Sequence, residues 1–212
     1  MKTTQQILNF YVSAGLEVDG ILGQKSQSAI KKALIKLEDT YKAKGWEWNN
    51  KFNILAIRVD QTFTDITSDW FIIVENNTLL AVPCSTKAGK YYVYNPISYG
   101  GITGTAVLKE GQYKQTWQFV TAKNWQTLWL QTPYLNQIKP VTIFRDGNKD
   151  LKVDKNVTQT GLFGINIHTA GWNNLVWNWS AGCIVIPRQH WVNDVLPKFK
   201  AFEIYDFALL EV

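Results

Sequence analysis

GINIHTAGWNNLVWNWSAGCIVIP, residues 164–187, is the densest run of unusual residues in the 212-residue chain. An apolar run ends at His168, and another begins at Cys183, 15 positions later, so the stretch reads as two strand ends joined by a loop. That arrangement brings an imidazole and a thiol side by side. An unperturbed thiol, with a pKa of about 8.5, is only a few per cent thiolate at neutral pH, so a neighbouring base raises its usefulness as a nucleophile. Gly182 lets the chain turn tightly just before the cysteine and lets a substrate approach the backbone. Backbone N–H groups at such a turn are suited to holding the oxyanion of a tetrahedral intermediate.

Outward from this stretch, the chain beyond Trp48 carries period-2 patterning. Leu55, Ile57 and Val59 alternate with other residues, and WFIIVENNTLLAVP reads as a hairpin about Asn76 and Asn77. Further strands are expected at 116–120, 127–131, 141–144, 162–168, 183–187 and 202–210, with a short helix at 188–199. The first 45 residues differ. Thr3 and Gln6 have capping-box spacing ahead of Ile7, Phe10, Tyr11 and Ala14 on one helical face, with Gly15 as the stop. A second stripe, Ile30, Ala33, Leu34 and Leu37, runs to Gly45. The expected fold class is α+β: a small helical unit over residues 1–47, then a β-rich domain over residues 48–212.

Composition narrows the function classes. With 46% hydrophobic residues the chain can bury a full core. A formal charge of +5 favours a polyanionic partner, but no run of five basic residues and no nucleic-acid motif occurs, so nucleic acid is not expected. Two cysteines, Cys84 and Cys183, make no disulfide framework. The N-terminus reads as neither signal peptide nor membrane span, so synthesis in a cytoplasm and delivery by another route, as for a phage lysin or an injected effector, is the expectation. Ten Trp residues are many; Trp172, Trp177, Trp179 and Trp191 lie close enough to the central stretch to floor a groove.

Residues 1–45 resemble the small peptidoglycan-binding helical domain, through Asp19, Gly20, Gly23 (a DGxxG turn), Ser26 and Ala29. The alternative is a helical hairpin that packs on the rest of the chain. His168, Ser180, Gly182, Cys183 and Ile184 match, in order and spacing, the L,D-transpeptidase mark of a His at a strand end followed by S-x-G-C-I-R, and VPCSTKAG (82–89) is similar to that family's P-x-S-T-G strand end. The resemblance implies a thioester on Cys183 from a peptidoglycan stem peptide, His168 as base, and Ser180 holding the imidazole. It also implies substrate contacts from the neighbouring Asn166, Thr169 and Trp179. Two positions depart: the family's Arg is Val185 here, and the Gly after its His is Thr169. Either Arg145 or Arg188 is expected to replace the Arg, or the substrate preference differs from the family's. Water resolving the thioester gives hydrolysis, the outcome favoured here; an amine gives cross-linking or D-amino-acid exchange.

Other classes fare worse. A zinc enzyme needs about three protein ligands, and the chain has only His168 and His190. No cofactor or metal is expected. The carboxylates lack a glycosidase arrangement. Papain-like peptidases place Cys before His. The segment DGNKDLKVD (146–154) has calcium-loop spacing without the sixth-position Gly or closing Glu, and a solvated turn is the simpler reading. A non-catalytic wall-binding protein is the strongest rival. The oligomeric state is not legible in the sequence.

Overall fold

The computed structural model describes all residues 1–212. Its helices are α1 Lys2–Val12, α2 Gln24–Ala43, α3 Lys90–Tyr94, α4 Trp125–Leu130 and α5 Arg188–His190, the last running on through a π turn and a 3-10 turn to Lys198. The strands are β1 Phe52–Arg58, β2 Asp69–Glu75, β3 Thr78–Cys84, β4 Ser98–Tyr99, β5 Ile102–Thr103, β6 Thr105–Leu108, β7 Gly111–Val120, β8 Tyr134–Gln137, β9 Val141–Asp146, β10 Thr158–Gly161, β11 Ile167–Thr169, β12 Ile184–Ile186 and β13 Ile204–Glu211. The class is mixed α+β, as the two periodicities require.

Eight strands form one sheet in the order β12-β11-β8-β7-β13-β1-β2-β3. Just past the end of β3, Ser85 pairs with Val185 of β12 through two backbone hydrogen bonds of 2.8 and 3.0 Å, which nearly closes the sheet into a barrel. The inside is filled by one cluster in which Trp117, Trp191, Phe71 and Phe207 are almost wholly buried. Each such side chain contributes about 1.5–3 kcal/mol by leaving water. A smaller sheet, β10-β9-β6, carries Ala106, Val141 and Ile143 on its face towards that core.

The opposite face of β1, β2, β3 and β13 is covered by α1 and α2. Ile7, Leu8, Ala33 and Leu37 pack with Leu55, Ile57, Ile72 and Leu210 in one cluster, so the helical hairpin shares its core with the sheet. This explains why β1 is buried on both faces, where alternation led us to expect one polar face. The Asp19-Gly20 turn is fastened to α1 by Gln5, whose amide donates to Asp19 Oδ1 (2.7 Å) and whose carbonyl accepts from Gly20 N (2.7 Å).

The Asn76-Asn77 hairpin forms as expected, both residues adopting positive φ (47° and 65°) between β2 and β3. Three expectations need correcting. Helix α1 begins at Lys2 with Met1 as N-cap and no side-chain cap, so Thr3 lies within the first turn and makes no capping box with Gln6, and it stops at Ser13 rather than Gly15. Residues 127–131 fall on α4 and its C-cap, where an Asn124–Thr127 capping box fixes the first turn. Of 162–168, only Ile167 and His168 are strand; the amides of Phe163 and Ile165 donate instead to Gln137 Oε1 (3.2 and 2.8 Å).

Candidate active site

β11 and β12 run parallel, with Ile167 opposite Ile184 and His168 opposite Val185. Side chains alternate across a strand, so Ile167 and Ile184 point into the barrel core while His168, Val185 and Cys183 share the other face. Cys183 lies two residues back along the chain from His168's partner, and is therefore its diagonal neighbour. The loop between the strands folds back over this face, where Val176 packs with Ala170 and Val185.

The imidazole is 1% exposed, and its Nδ1 sits 2.7 Å from the Thr169 carbonyl. A carbonyl only accepts, so Nδ1 carries the proton and Nε2 is left as the basic nitrogen. Burial pushes the His168 pKa down to about 4, the Thr169 carbonyl opposing only part of that. Cys183 is partly exposed; its pKa is pushed up to about 11 by burial, against the backbone amides of Asn166 and of Cys183 itself. At neutral pH the pair is thus an uncharged thiol and an uncharged imidazole. The thiol donates to the Gly164 carbonyl at 3.3 Å, so rotation about the Cα–Cβ bond is needed to bring it onto the imidazole.

The turn before the cysteine is tightly built. Gly182 has φ +140°, and a Cβ there would meet the Ala106 carbonyl oxygen at 2.7 Å. Ser180 braces this turn: its hydroxyl donates to the Cys183 carbonyl (2.7 Å) and accepts from Gly182 N (3.1 Å), while its own carbonyl accepts from Gly89 N (3.0 Å). Ser180 therefore does not hold the imidazole as expected; every polar atom it has for that purpose is committed to the turn, and Thr169 holds the ring instead. Gly182 N–H is likewise occupied, which leaves the amides of Asn166 and Cys183 as the donors beside the sulfur.

Segment 85–89, Ser-Thr-Lys-Ala-Gly, underlies the site. A Cβ on Gly89 would stand 1.8 Å from the Trp177 carbonyl oxygen, so the loop between β11 and β12 lies directly on it. The segment is fixed by buried charges: Lys87 Nζ reaches Asp69 Oδ1 (3.2 Å) and the Asp60 carbonyl (2.9 Å), and Asp69 Oδ2 accepts from the amide and hydroxyl of Thr86 (2.9 and 2.7 Å). Arg58 completes the network by donating to Thr86 Oγ1 (2.9 Å) and to Glu211 (2.8 Å). Asp65 ties the loop to α3, its Oδ1 accepting from Lys90 N (2.9 Å) and Trp177 N (3.1 Å). On α3, Tyr92 has its phenol pKa raised by burial, then by Tyr91 and Cys183. Lys87, Asp69, Asp65 and Tyr92 carry no local sequence signature; only the spatial juxtaposition finds them.

The other expected site residues divide. Arg145, on β9 opposite Ala106, is 6% exposed and pairs with no carboxylate. Its Nε donates to Gln159 (2.9 Å) and its Nη1 to the Gly104 carbonyl (3.1 Å), and it lies 5.1 Å from the centre of the Phe163 ring, next in sequence to Gly164. Arg188 is at the far end of β12, about 16 Å along an extended chain from Cys183. It donates to the Leu130 carbonyl at the end of α4 (3.0 Å) and stacks on Trp172 (3.9 Å), so it is not the replacement for the missing arginine. Asn166 is spent on structure: its side chain accepts from Gln137 N (2.9 Å) and donates to Gln126 (3.1 Å). Thr169 contributes through its carbonyl, its hydroxyl donating to the Ala170 carbonyl (2.9 Å). Trp179 stacks on Trp129 at 4.5 Å and, with exposed Trp172 and Trp177, borders the face. Trp191 is wholly buried in the core and floors no groove.

No protein-family model matches the chain, and no curated protein matches it either. No helix is long and apolar enough to cross a membrane.

Proposed function

We propose that the chain is a cysteine acyl-transfer enzyme of the L,D-transpeptidase type, acting on peptidoglycan stem peptides through a thioester on Cys183. The observation that supports this most is the placement of Cys183 diagonally beside a buried His168 whose tautomer is fixed by Thr169. In this reading the thiol turns from Gly164 to Nε2 of His168 and gives up its proton as the sulfur attacks the substrate carbonyl. With both groups uncharged at rest, proton transfer accompanies attack rather than preceding it. The amide of Cys183 receives the developing oxyanion, an effect whose loss typically lowers rates by about a hundredfold or more.

The imidazolium then protonates the departing amine, and neutral His168 activates water to release the product. An amine entering in place of water gives a cross-link or an exchanged D-amino acid. Arg145, a buried cation with no carboxylate of its own, supplies positive potential for an acidic group of the stem peptide. Residues 1–47 serve this domain by covering the sheet, and any glycan contact they make is through their outer faces.

The test is mass spectrometry of purified peptidoglycan treated with wild-type protein and with Cys183→Ala, with and without a free D-amino acid. Shortened or separated stem peptides made only by wild type support the hydrolytic reading. New linkages or exchange support the thioester but reassign its acceptor, and unchanged peptidoglycan in both samples overturns the proposal.

A further inference from the structure

The hairpin loop between β9 and β10 contains a second constellation, independent of the cysteine chemistry. Asp146, Asn148, Asp150 and Asp154 follow one another at the spacing of oxygen ligands in calcium loops. Spacing alone does not make a site, but Asp146 adds a separate observation. Its side chain is 1% exposed, and Oδ2 accepts from Asp154 N at 2.6 Å, which turns the carboxylate into the loop. Its other oxygen, Oδ1, is buried and has no hydrogen-bond partner. A buried carboxylate oxygen without a partner is costly, and a cation would relieve it.

The absent glycine of the sixth position does not stand in the way, because Leu151 itself adopts φ 65° there. The loop is stapled at its base to residues 61–63, with Phe63 N donating to the Leu151 carbonyl (2.8 Å) and Val153 N to the Gln61 carbonyl (2.7 Å). Gln61 Oε1, in that supporting segment, is a second buried oxygen without a partner. No three acidic, His or Cys side chains form a ready-made cluster, and every donor offered by the loop is oxygen. That combination disfavours zinc, and an irregular set of carboxylate, amide and carbonyl oxygens suits calcium better than magnesium, which demands near-ideal octahedral geometry.

We infer that the β9–β10 loop binds one calcium ion through Asp146 Oδ1, with Asn148, Asp150 and Asp154 closing on it. The loop lacks a bidentate closing carboxylate, so its affinity falls in the weak class of extracellular modules, with Kd about 0.1–1 mM. The ion would sit directly after Arg145 and hold the end of β9 against Gly104. The experiment is calorimetric titration of the chelator-treated full chain with calcium chloride up to about 5 mM, ten or so times the weak-class constant. Wild type should give one saturable site, and Asp150→Ala at least a tenfold weaker one. Asp150 is exposed, so the variant should keep its fold, which circular dichroism checks. Absence of saturable binding by wild type, or an unchanged titration in Asp150→Ala, overturns the inference whether or not the chain acts on peptidoglycan.

Discussion

Acidification should unload stability through His168. The unfolded imidazole titrates at its ordinary value of 6.5, whereas burial holds the folded one near 4. Between those values the unfolded chain binds the proton and the folded chain does not, so stability is lost as pH falls from about 6.5 to about 4 and is fully present above that window. Linkage gives a loss of about 2 kcal/mol by pH 5 and about 3 kcal/mol by pH 4, relative to pH 7. Carboxylates titrate in the same range, so the measurement is a difference. Urea unfolding at pH 7, 6, 5 and 4 is compared for wild type and His168→Gln, whose side chain cannot ionise. The two curves should converge or cross as pH falls, the gap changing by about 3 kcal/mol. Curves that stay parallel to within about 0.5 kcal/mol would refute a buried, uncharged imidazole and with it the proposed base.

Cys183, with its pKa near 11, should react slowly with iodoacetamide at pH 7 and about tenfold faster for each pH unit up to about 10; a plateau near pH 7 would instead indicate a thiolate–imidazolium pair. His168→Ala should lower turnover at least about a hundredfold while leaving that substrate-free alkylation unchanged. Gly89→Ala drives a methyl group into the Trp177 carbonyl and should cost about 3 kcal/mol in chemical denaturation, with activity falling as the loop shifts. Asp69→Ala takes one of two carboxylates from the buried Lys87 ammonium and also leaves the Thr86 amide and hydroxyl without an acceptor, and should cost about 3–5 kcal/mol, part of it recovered when Lys87→Met is added; equal losses in single and double variants would remove Asp69 as its partner.

The alternation of apolar residues located most strands because barrel strands here present one face to a continuous core. It failed at 127–131, where a capping box of two neighbouring polar residues outweighs the pattern. It failed again before Ile167, where Gln137 replaces a neighbouring strand. That His168 and Cys183 come to neighbouring strand ends was legible because His168 lies on β11 and Cys183 immediately precedes β12, strands whose register is set by apolar neighbours. The roles of Ser180, Thr169 and Arg188 were not. Those depend on which carbonyl each polar atom meets after the loop folds over, and residues such as Asp65 and Gly89 act from more than 90 positions away. Arg58 and Glu211 make the same point, since 153 positions separate two halves of one buried ion pair.

The Ser85–Val185 bridge gives the molecule an order of assembly. The strand behind Cys183 is gripped on one side by β11 and on the other by a segment 100 residues earlier in the chain, through only two hydrogen bonds. Joining such distant segments carries a high loop-closure cost, so this seam is expected to zip up late. Until it does, the edge of β12 away from His168 stands open, although β11 and β12 are already paired. The barrel's circumference is the last feature to be completed and the first surrendered when the seam breathes.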